Sequence, residues 1–247
     1  MDFDLPAELG LSRHTSVDLL GVDHIALAVA DPDALAAFLC DHVGMHELAR
    51  AGGWLSVGAG ARATHLALVA AEGPREQGAL VRLVFRVSDM RGAVAALPEG
   101  TAVEEEGPEV VTFAGPEGVV LGFTQVFGGI DYDLDHLVLR VGETEDLRVA
   151  LAELGCVPMG DSMHVADKRF TLHAQPGVSE RPLLDHIAFQ VGSVATIASQ
   201  ARLRGLEIDE RSPADTCTIV LPGAERIRLD FVEAGASRMA TPGRPLG

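Results

Sequence analysis

Hydrophobic and polar residues alternate along four similar stretches of the chain. The stretches read GVDHIALAVAD (21–31), LVRLVFRVSD (80–89), DLDHLVLRVG (133–142) and LLDHIAFQVG (183–192), and they align without gaps. Alternation with a period of two indicates a β-strand with one face on a core. His24, Arg82, His136 and His186 hold the same place at steps of 50 to 58 residues, which predicts four related modules.

Each stretch is followed by an apolar pattern of helical period, as in DPDALAAFLCDHVG (31–44) and SVATIASQARLRG (193–205). Asp31 and Ser193 are suited to cap the helix starts, and Gly44, Gly155 and Gly205 to end helices. Short β-rich runs come next, so each module is predicted to be βαβββ. The predicted fold class is α+β, with the modules paired into two curved mixed sheets and helices on the outer faces.

Consecutive modules are predicted to pair. This gives a first domain over residues 19–128 and a second over 129–235, with the Gly-rich, acidic segment 126–135 as the linker. Residues 1–18 and 236–247 are interpreted as tails. Tyr132, in the linker, is expected to contribute to domain packing.

The formal net charge of −17 and the pI near 4.8 disfavour nucleic acid and anionic membranes as partners. No signal-peptide pattern or membrane-span pattern is present, which favours a cytoplasmic protein. The three cysteines are widely spaced in apolar segments and are expected to be buried without forming a disulfide or a metal site. A homodimer is one option for the oligomeric state.

The strand pattern also predicts a metal site. Ile187, Phe189 and Val191 share the core face, so His186 lies on the opposite, concave face, and the same parity applies to His136. Asp230 alternates with Leu229 and Phe231 in the last strand. Two imidazoles and one carboxylate form a set that binds a divalent metal and leaves coordination positions open.

The first half of the chain has His24, Arg82 and Gly122 at the matching places. Because a fixed cation cannot replace a ligand, a single metal site is expected, in the second half. His24 is interpreted as a hydrogen-bonded histidine of the core or cavity wall. Asp135 and Asp185 would orient the neighbouring histidines if their strands begin irregularly.

These features resemble the vicinal oxygen chelate superfamily, which includes glyoxalase I, bleomycin and fosfomycin resistance proteins and extradiol dioxygenases. The resemblance covers residues 19–235 and rests on the four modules, the DHIA-type openings and the closing LPGAERIRLDFVEA. The layout is most similar to that of two-domain extradiol dioxygenases. That resemblance implies that His136, His186 and Asp230 hold Fe(II).

The chain departs from the dioxygenase pattern in two ways. Asp230 stands where the family usually has Glu, and the positions of the ring-cleavage His, His and Tyr align with Phe170, Arg211 and Val220. His173 and His164 are candidates to replace these acid-base residues. Arg140 is a candidate for contact with the substrate.

The leading hypothesis is therefore an Fe(II)-dependent dioxygenase of extradiol type that acts on a small molecule with neighbouring oxygens. The first alternative is a glyoxalase-type isomerase, epimerase or lyase, for which Zn²⁺, Ni²⁺ or Mn²⁺ would suffice. The second is a metal-free protein that binds a small molecule. Metal identity separates the first two hypotheses.

Overall fold

The computed structural model describes residues 17–60, 63–106, 109–209, 212–213 and 215–235. Apart from Val17 and Asp18, the predicted tails lie outside the described residues, and so does Arg211. Within the part of the chain described, no helix is long and apolar enough to cross a membrane.

Four βαβββ modules follow one another, as predicted. The first contains β1 (Leu19–Val29), α1 (Pro32–His42), β2 (His46–Ala51), β3 (Trp54–Gly58) and β4 (His65–Ala70). The second contains β5 (Leu80–Val87), α2 (Met90–Ala95), β6 (Val103–Glu106), β7 (Val110–Ala114), a 3₁₀ turn (Pro116–Gly118) and β8 (Val120–Gln125). The third contains β9 (Leu134–Val141), α3 (Thr144–Glu153), β10 (Val157–Met159), β11 (Ser162–Val165) and β12 (Lys168–Ala174). The fourth contains β13 (Leu184–Val191), α4 (Val194–Leu203), β14 (Glu207–Asp209), β15 (Thr216–Val220) and β16 (Arg228–Glu233).

The helix boundaries follow the predicted capping residues. The side chain of Asp31 accepts a hydrogen bond from Ala34 N at 2.9 Å, and that of Ser193 accepts one from Thr196 N at 3.3 Å. Gly44 has a φ of 79°, a backbone conformation that favours glycine. The ring of Tyr132 lies where a Cβ at residue 44 would be, so this tyrosine packs against the end of α1.

The strands form two mixed eight-stranded sheets, which confirms the predicted fold class. Sheet I has the order β14-β15-β16-β13-β1-β4-β3-β2, and sheet II has the order β10-β11-β12-β9-β5-β8-β7-β6. In each module the first and last strands are parallel neighbours. Two modules then meet where their first strands pair antiparallel.

The predicted pairing of consecutive modules is wrong. Sheet I combines the first and fourth modules, and sheet II combines the second and third. The error arose because all four first strands carry the same alternation, so each can pair with any other. Each sheet therefore contains strands from both of the predicted domains, 19–128 and 129–235.

The apolar faces of both sheets contribute to one continuous core. Phe170 of sheet II lies against Phe189 of sheet I, with 5.8 Å between the ring centroids. Each helix packs on the apolar face of its own module, as α1 does through Leu35 and Leu39. The opposite faces carry His24, His136 and His186, which are not part of this hydrophobic core.

Two turn carboxylates connect consecutive modules across the sheets. Glu117, between β7 and β8, accepts a hydrogen bond from Ala30 N at the end of β1 (2.9 Å). Glu225, between β15 and β16, accepts one from Gly142 N at the end of β9 (3.0 Å). Each turn thus satisfies a backbone donor at the end of a strand in the other sheet.

A buried ion pair within sheet II also contacts the segment that precedes β4 of sheet I. Lys168, the only lysine in the chain, lies with its Nζ 2.6 Å from Oδ2 of Asp133, and both side chains are buried. Oδ1 of Asp133 accepts a hydrogen bond from Thr64 N at 2.9 Å. The pair therefore fixes the segment that enters β4.

We expect Lys168→Met to lower the free energy of unfolding by about 3–5 kcal/mol, because it leaves the buried Asp133 carboxylate without its cation. Urea denaturation followed by circular dichroism measures this change. The control is Arg50→Met, which removes an exposed pair with Asp33 and should leave the midpoint unchanged. A decrease in the free energy of unfolding below about 1 kcal/mol for Lys168→Met is typical of a surface pair. It would contradict the conclusion that the buried Lys168–Asp133 pair stabilises the fold.

Candidate metal centre

Strand irregularities turn each Asp-His pair toward one side. In the β1–β13 ladder, Val22 pairs with Phe189 and His24 with Ala188, so Asp23 is an extra residue. Asp185 is extra in the same way on β13. Such bulges re-aim side chains that would otherwise point to opposite faces. The irregular strand start that the orienting role of Asp185 required is therefore present.

Each bulged aspartate accepts from the imidazole that follows it. Nδ1 of His24 lies 2.8 Å from Oδ2 of Asp23, and Nδ1 of His186 lies 2.7 Å from Oδ2 of Asp185. A carboxylate only accepts hydrogen bonds, so Nδ1 carries the proton in both rings and Nε2 presents its lone pair. This is the arrangement in which a histidine ligates a metal through Nε2.

The two Nε2 atoms and a carboxylate converge on the concave face of sheet I. Nε2 of His24 is 2.9 Å from Nε2 of His186, which in turn is 3.6 Å from Oδ2 of Asp230. His186 and Asp230 are 2% and 7% exposed. Oδ1 of Asp230 is buried and has no hydrogen-bond partner among the described residues.

This arrangement fits a divalent metal ion. Two nitrogens that each lie about 2.1 Å from one ion, at an angle near 90°, are about 3 Å apart. Two lone pairs facing each other at that distance repel, and a buried carboxylate oxygen without a partner is costly, unless a cation binds all three groups. His24, His186 and Asp230 thus form a two-histidine, one-carboxylate set.

Burial also favours the protonation states that a metal requires. It lowers the pKa of His24, which keeps the imidazole neutral. Burial alone would raise the pKa of Asp185, but the hydrogen bond from His186 and the nearby Arg228 and Arg75 hold it below its ordinary value. Asp185 therefore stays ionised beside His186.

His65 of β4 lies next to this set, with its ring centroid 5.1 Å from that of His24. Asp23, His24 and His65 also bring ligand-type atoms within 4.8 Å of one another. The Asp23 carboxylate is already engaged, however, by His24 at Oδ2 and by Gln190 at Oδ1. We therefore regard His65 as a neighbouring donor and Asp23 as an orienting group.

The structure brings together only two of the three predicted ligands. His186 and Asp230 converge, whereas His136 lies on β9 in sheet II. The predicted set of His136, His186 and Asp230 is corrected in this respect, because it depended on pairing the third module with the fourth. His24 takes the place of His136 beside them, where it is hydrogen-bonded as interpreted, and its Nε2 makes it a candidate ligand as well.

Sheet II has the same register but different chemistry at the equivalent positions. Arg82 stands in the place of His24 and pairs with Glu106, while Thr171 stands in the place of Asp230. Nη2 of Arg169 lies 3.0 Å from Nδ1 of His136, so a guanidinium cation approaches the one remaining imidazole. This set does not resemble a metal site.

The two sheets also differ in the space on their concave faces. Ala26 and Ala188 lie beside the histidines of sheet I, whereas Val84 and Val138 hold the equivalent places in sheet II. At Gly122, a Cβ would lie 2.7 Å from Val111 O and 3.4 Å from a methyl group of Val84, so this region is filled. The alanine side chains of sheet I are smaller than these valines and fill less of the space beside the histidines.

The secondary candidates also lie on sheet II. His173 is exposed near the end of β12, and His164 is half-buried on β11. Nε of Arg140 donates to Gly78 O at 2.7 Å. None of these three shares a sheet with His186 and Asp230, so their roles as acid-base or substrate-binding residues stay predictions.

Two cavities border the aspartates that precede the candidate ligands His24 and His186. One, of about 310 Å³, lies at the Asp23 side and is bordered by Gln190, Thr64 and charged residues of sheet II. The other, of about 370 Å³, lies at the Asp185 side and is bordered by Arg75, Arg228 and apolar residues. Both sizes suit a small molecule.

Comparison with known proteins identifies the family. The model of the Glyoxalase/Bleomycin resistance protein/Dioxygenase superfamily matches residues 21–155. The chain belongs to this superfamily, which confirms the resemblance found in the sequence. A search of curated proteins finds no match to the chain.

Solved structures show the same fold. Glyoxalase I from Zea mays superposes with a TM-score of 0.69 at 16% identity, covering 88% of this chain and 92% of that chain. A proposed dioxygenase from Bacillus subtilis subsp. subtilis str. 168 gives 0.70 at 15% identity, covering 90% and 88%. The CppA protein of Streptococcus pneumoniae TIGR4 gives 0.61 at 13% identity, covering 88% and 99%. At these identities the similarity shows the fold alone.

We expect the metal-free protein to bind one Co²⁺ per chain. His24→Ala, His186→Ala and Asp230→Ala should each weaken that binding at least 100-fold, because each removes a donor from the ion. Equilibrium titration followed by the visible Co²⁺ spectrum measures this. His136→Ala is the matched control on sheet II and should retain wild-type affinity, whereas its loss of Co²⁺ binding would contradict the assignment to sheet I.

Asp185→Asn should weaken Co²⁺ binding about 10- to 100-fold without abolishing it, since the amide no longer fixes the His186 tautomer. The equivalent Asp135→Asn change beside His136 should leave the affinity unchanged, although the same hydrogen bond is lost there (2.7 Å). Equal effects of the two substitutions would show that the aspartates act only through the fold.

Proposed function

We propose that the protein is a metal-dependent enzyme of the vicinal oxygen chelate class, and specifically an Fe(II)-dependent dioxygenase acting on a small molecule with neighbouring oxygens. The observation that carries the proposal is the convergence of His24, His186 and Asp230 at 2.9 and 3.6 Å. Two imidazoles and one carboxylate on one side of an ion are typical of non-haem Fe(II) oxygenases.

The position opposite Asp230 supports an open site. In the symmetric register of sheet I, Ala67 of β4 occupies the place that Asp230 occupies on β16. An alanine supplies no ligand, so this place on β4 provides no second carboxylate to fill the coordination position opposite Asp230. When bound, a divalent metal there acts as a Lewis acid toward neighbouring substrate oxygens, and Fe(II) additionally supports reaction with O₂.

The protein's own residues perform the remaining tasks. Asp23 and Asp185 hold the two imidazoles in the Nε2-ligating tautomer through the hydrogen bonds at 2.8 and 2.7 Å. Ala26 and Ala188 keep the concave face free of bulk, and the burial of His186 and Asp230 limits water at the centre. The cavity of about 370 Å³ that borders Asp185 provides room for the body of a substrate.

A glyoxalase-type isomerase is the second candidate, and His65 is the observation that favours it. A fourth protein donor beside His24 would leave fewer positions for substrate and O₂, and such a site suits a non-redox metal. The described residues also place no tyrosine or second histidine at the aligned ring-cleavage positions Phe170 and Val220.

The test is O₂ uptake by anaerobically purified, full-length protein reconstituted separately with Fe²⁺, Zn²⁺, Ni²⁺ and Mn²⁺. With Fe²⁺ we expect O₂ consumption over a panel of catechols, because this ligand set is typical of Fe(II) oxygenases, and none with Zn²⁺, which has no redox chemistry. Metal content is measured on the same samples. His136→Ala should retain activity, and Asp230→Ala should lose both iron and activity.

Other results would redirect or overturn the proposal. Isomerisation of a 2-oxoaldehyde–thiol adduct with Zn²⁺ or Ni²⁺, without O₂ uptake under Fe²⁺, would establish the second candidate. Failure of the wild-type protein to retain any of the four metals would overturn metal-dependent catalysis and leave a protein that binds a small molecule.

A further inference from the structure

The cavity on the Asp185 side of the candidate centre is lined by both apolar and charged residues. Apolar residues of both halves of the chain contribute to its walls, including Ala28, Leu184, Val220 and Ile227. The arginines that border it are Arg75, Arg226 and Arg228, and the carboxylates are those of Glu180, Asp185, Glu207, Asp209 and Glu225. The cavity therefore offers both apolar contacts and guanidinium donors to a ligand.

Arg228 is the first of two cations at this cavity that are not exposed at the surface. It lies on β16 two residues before Asp230, on the same face of the strand, and is only 9% exposed. Its Nη1 lies 3.7 Å from Oδ2 of Asp185, which is longer than a hydrogen bond. A guanidinium group has five donors, and Arg228 borders the cavity, so donors of this residue remain for a ligand there.

Arg75 is the second cation. It is half-buried, and its Nε is buried without a hydrogen-bond partner among the described residues. A buried donor in this state is costly unless a ligand satisfies it. Arg75 borders the same cavity as Arg228, so both guanidinium groups are available to one ligand.

Several carboxylates that border this cavity are already engaged. Oε1 of Glu225 accepts from Gly142 N at 3.0 Å and from Gly177 N at 3.1 Å. Glu207 pairs with Arg226 at 2.9 Å near the surface. Asp185 accepts from His186. The carboxylate that Arg228 approaches is thus itself hydrogen-bonded to His186.

The cavity on the Asp23 side provides a contrast. Its two cations are closely paired: Arg86 lies 2.6 Å from Asp167, and Lys168 lies 2.6 Å from Asp133. These pairs leave little capacity for a further anion. An anionic ligand is therefore expected on the Asp185 side only.

We propose that Arg75 and Arg228 bind a carboxylate group of the substrate, with its apolar body between Ala28, Leu184 and Val220 and its reacting oxygens at the metal. The substrate class is then a small hydroxylated aromatic or aliphatic carboxylic acid. Guanidinium groups recognise carboxylates through paired hydrogen bonds, which gives both affinity and orientation. This inference deepens the proposed function and rests on it for the placement of the reacting end.

The experiment compares benzoate with benzamide by calorimetric titration of metal-free, full-length protein. The two probes have the same shape, and only benzoate carries a charge, so we expect benzoate to bind at least tenfold more tightly. Arg75→Gln and Arg228→Gln should each remove that preference. Arg50→Gln, the matched change at an exposed pair with Asp33 that does not border this cavity, should preserve it.

A parallel Co²⁺ titration of every variant distinguishes carboxylate binding by the two arginines from an effect on the position of Asp185. We expect the Arg75 and Arg228 variants to bind Co²⁺ within about threefold of wild type. A parallel loss of Co²⁺ and benzoate binding in Arg228→Gln, with Arg75→Gln unchanged, would show that Arg228 only positions Asp185 and would overturn the proposal. Equal affinities of wild type for benzoate and benzamide would overturn it as well.

The two proposals fail in different ways. Benzoate selectivity that depends on both arginines, in a protein that binds no metal, would support the carboxylate site and overturn the proposed catalysis. Co²⁺ binding without benzoate selectivity would support the metal centre and overturn the carboxylate site.

Discussion

The antiparallel pairing of β1 with β13 is the constraint on which the site depends. It places His24 opposite Ala188 and His186 opposite Ala26, so the two imidazoles meet across the ladder with their Nε2 atoms 2.9 Å apart. Asp230 joins them because β16 lies parallel to β13. Any other pairing of the four modules would separate these three side chains.

The same type of β-bulge occurs in both sheets, but only sheet I carries a set of side chains suited to bind a metal ion. A bulge also occurs at Asp135 in sheet II, and it brings that carboxylate to 2.7 Å from His136. There, valines fill the space that alanines leave open in sheet I, and a guanidinium stands where the second imidazole would be. The local geometry is thus common to the modules, and side-chain volume and charge decide which sheet can hold a metal ion.

Local pattern was sufficient to predict the modules, the helix caps and the types of ligand. His186 and Asp230 could be identified because strand parity depends only on neighbouring residues. The partner of each module could not be predicted from this parity, since it is equivalent in all four first strands. A signal was nevertheless present: the first and fourth modules share the sequence His-Ile-Ala, whereas the third has His-Leu-Val and the second Arg-Leu-Val. Ala26 and Ala188 are the small residues in this shared sequence, and they lie on the two strands that face the candidate site. This similarity indicates that β1 pairs with β13, which brings His24 next to His186.

The pairing of the first module with the fourth, and of the second with the third, also affects the order in which the two sheets can form during synthesis. β1 emerges early from the ribosome, but its antiparallel neighbour lies about 160 residues later, as the separation of 162 between His24 and His186 illustrates. Until then one edge of β1 has no strand to pair with, and closing so long a loop is slow. Sheet II, whose two modules are adjacent in sequence, can form first. The first module must therefore remain soluble with an unpaired edge until the chain is almost complete, a period in which edge strands are prone to associate with other chains.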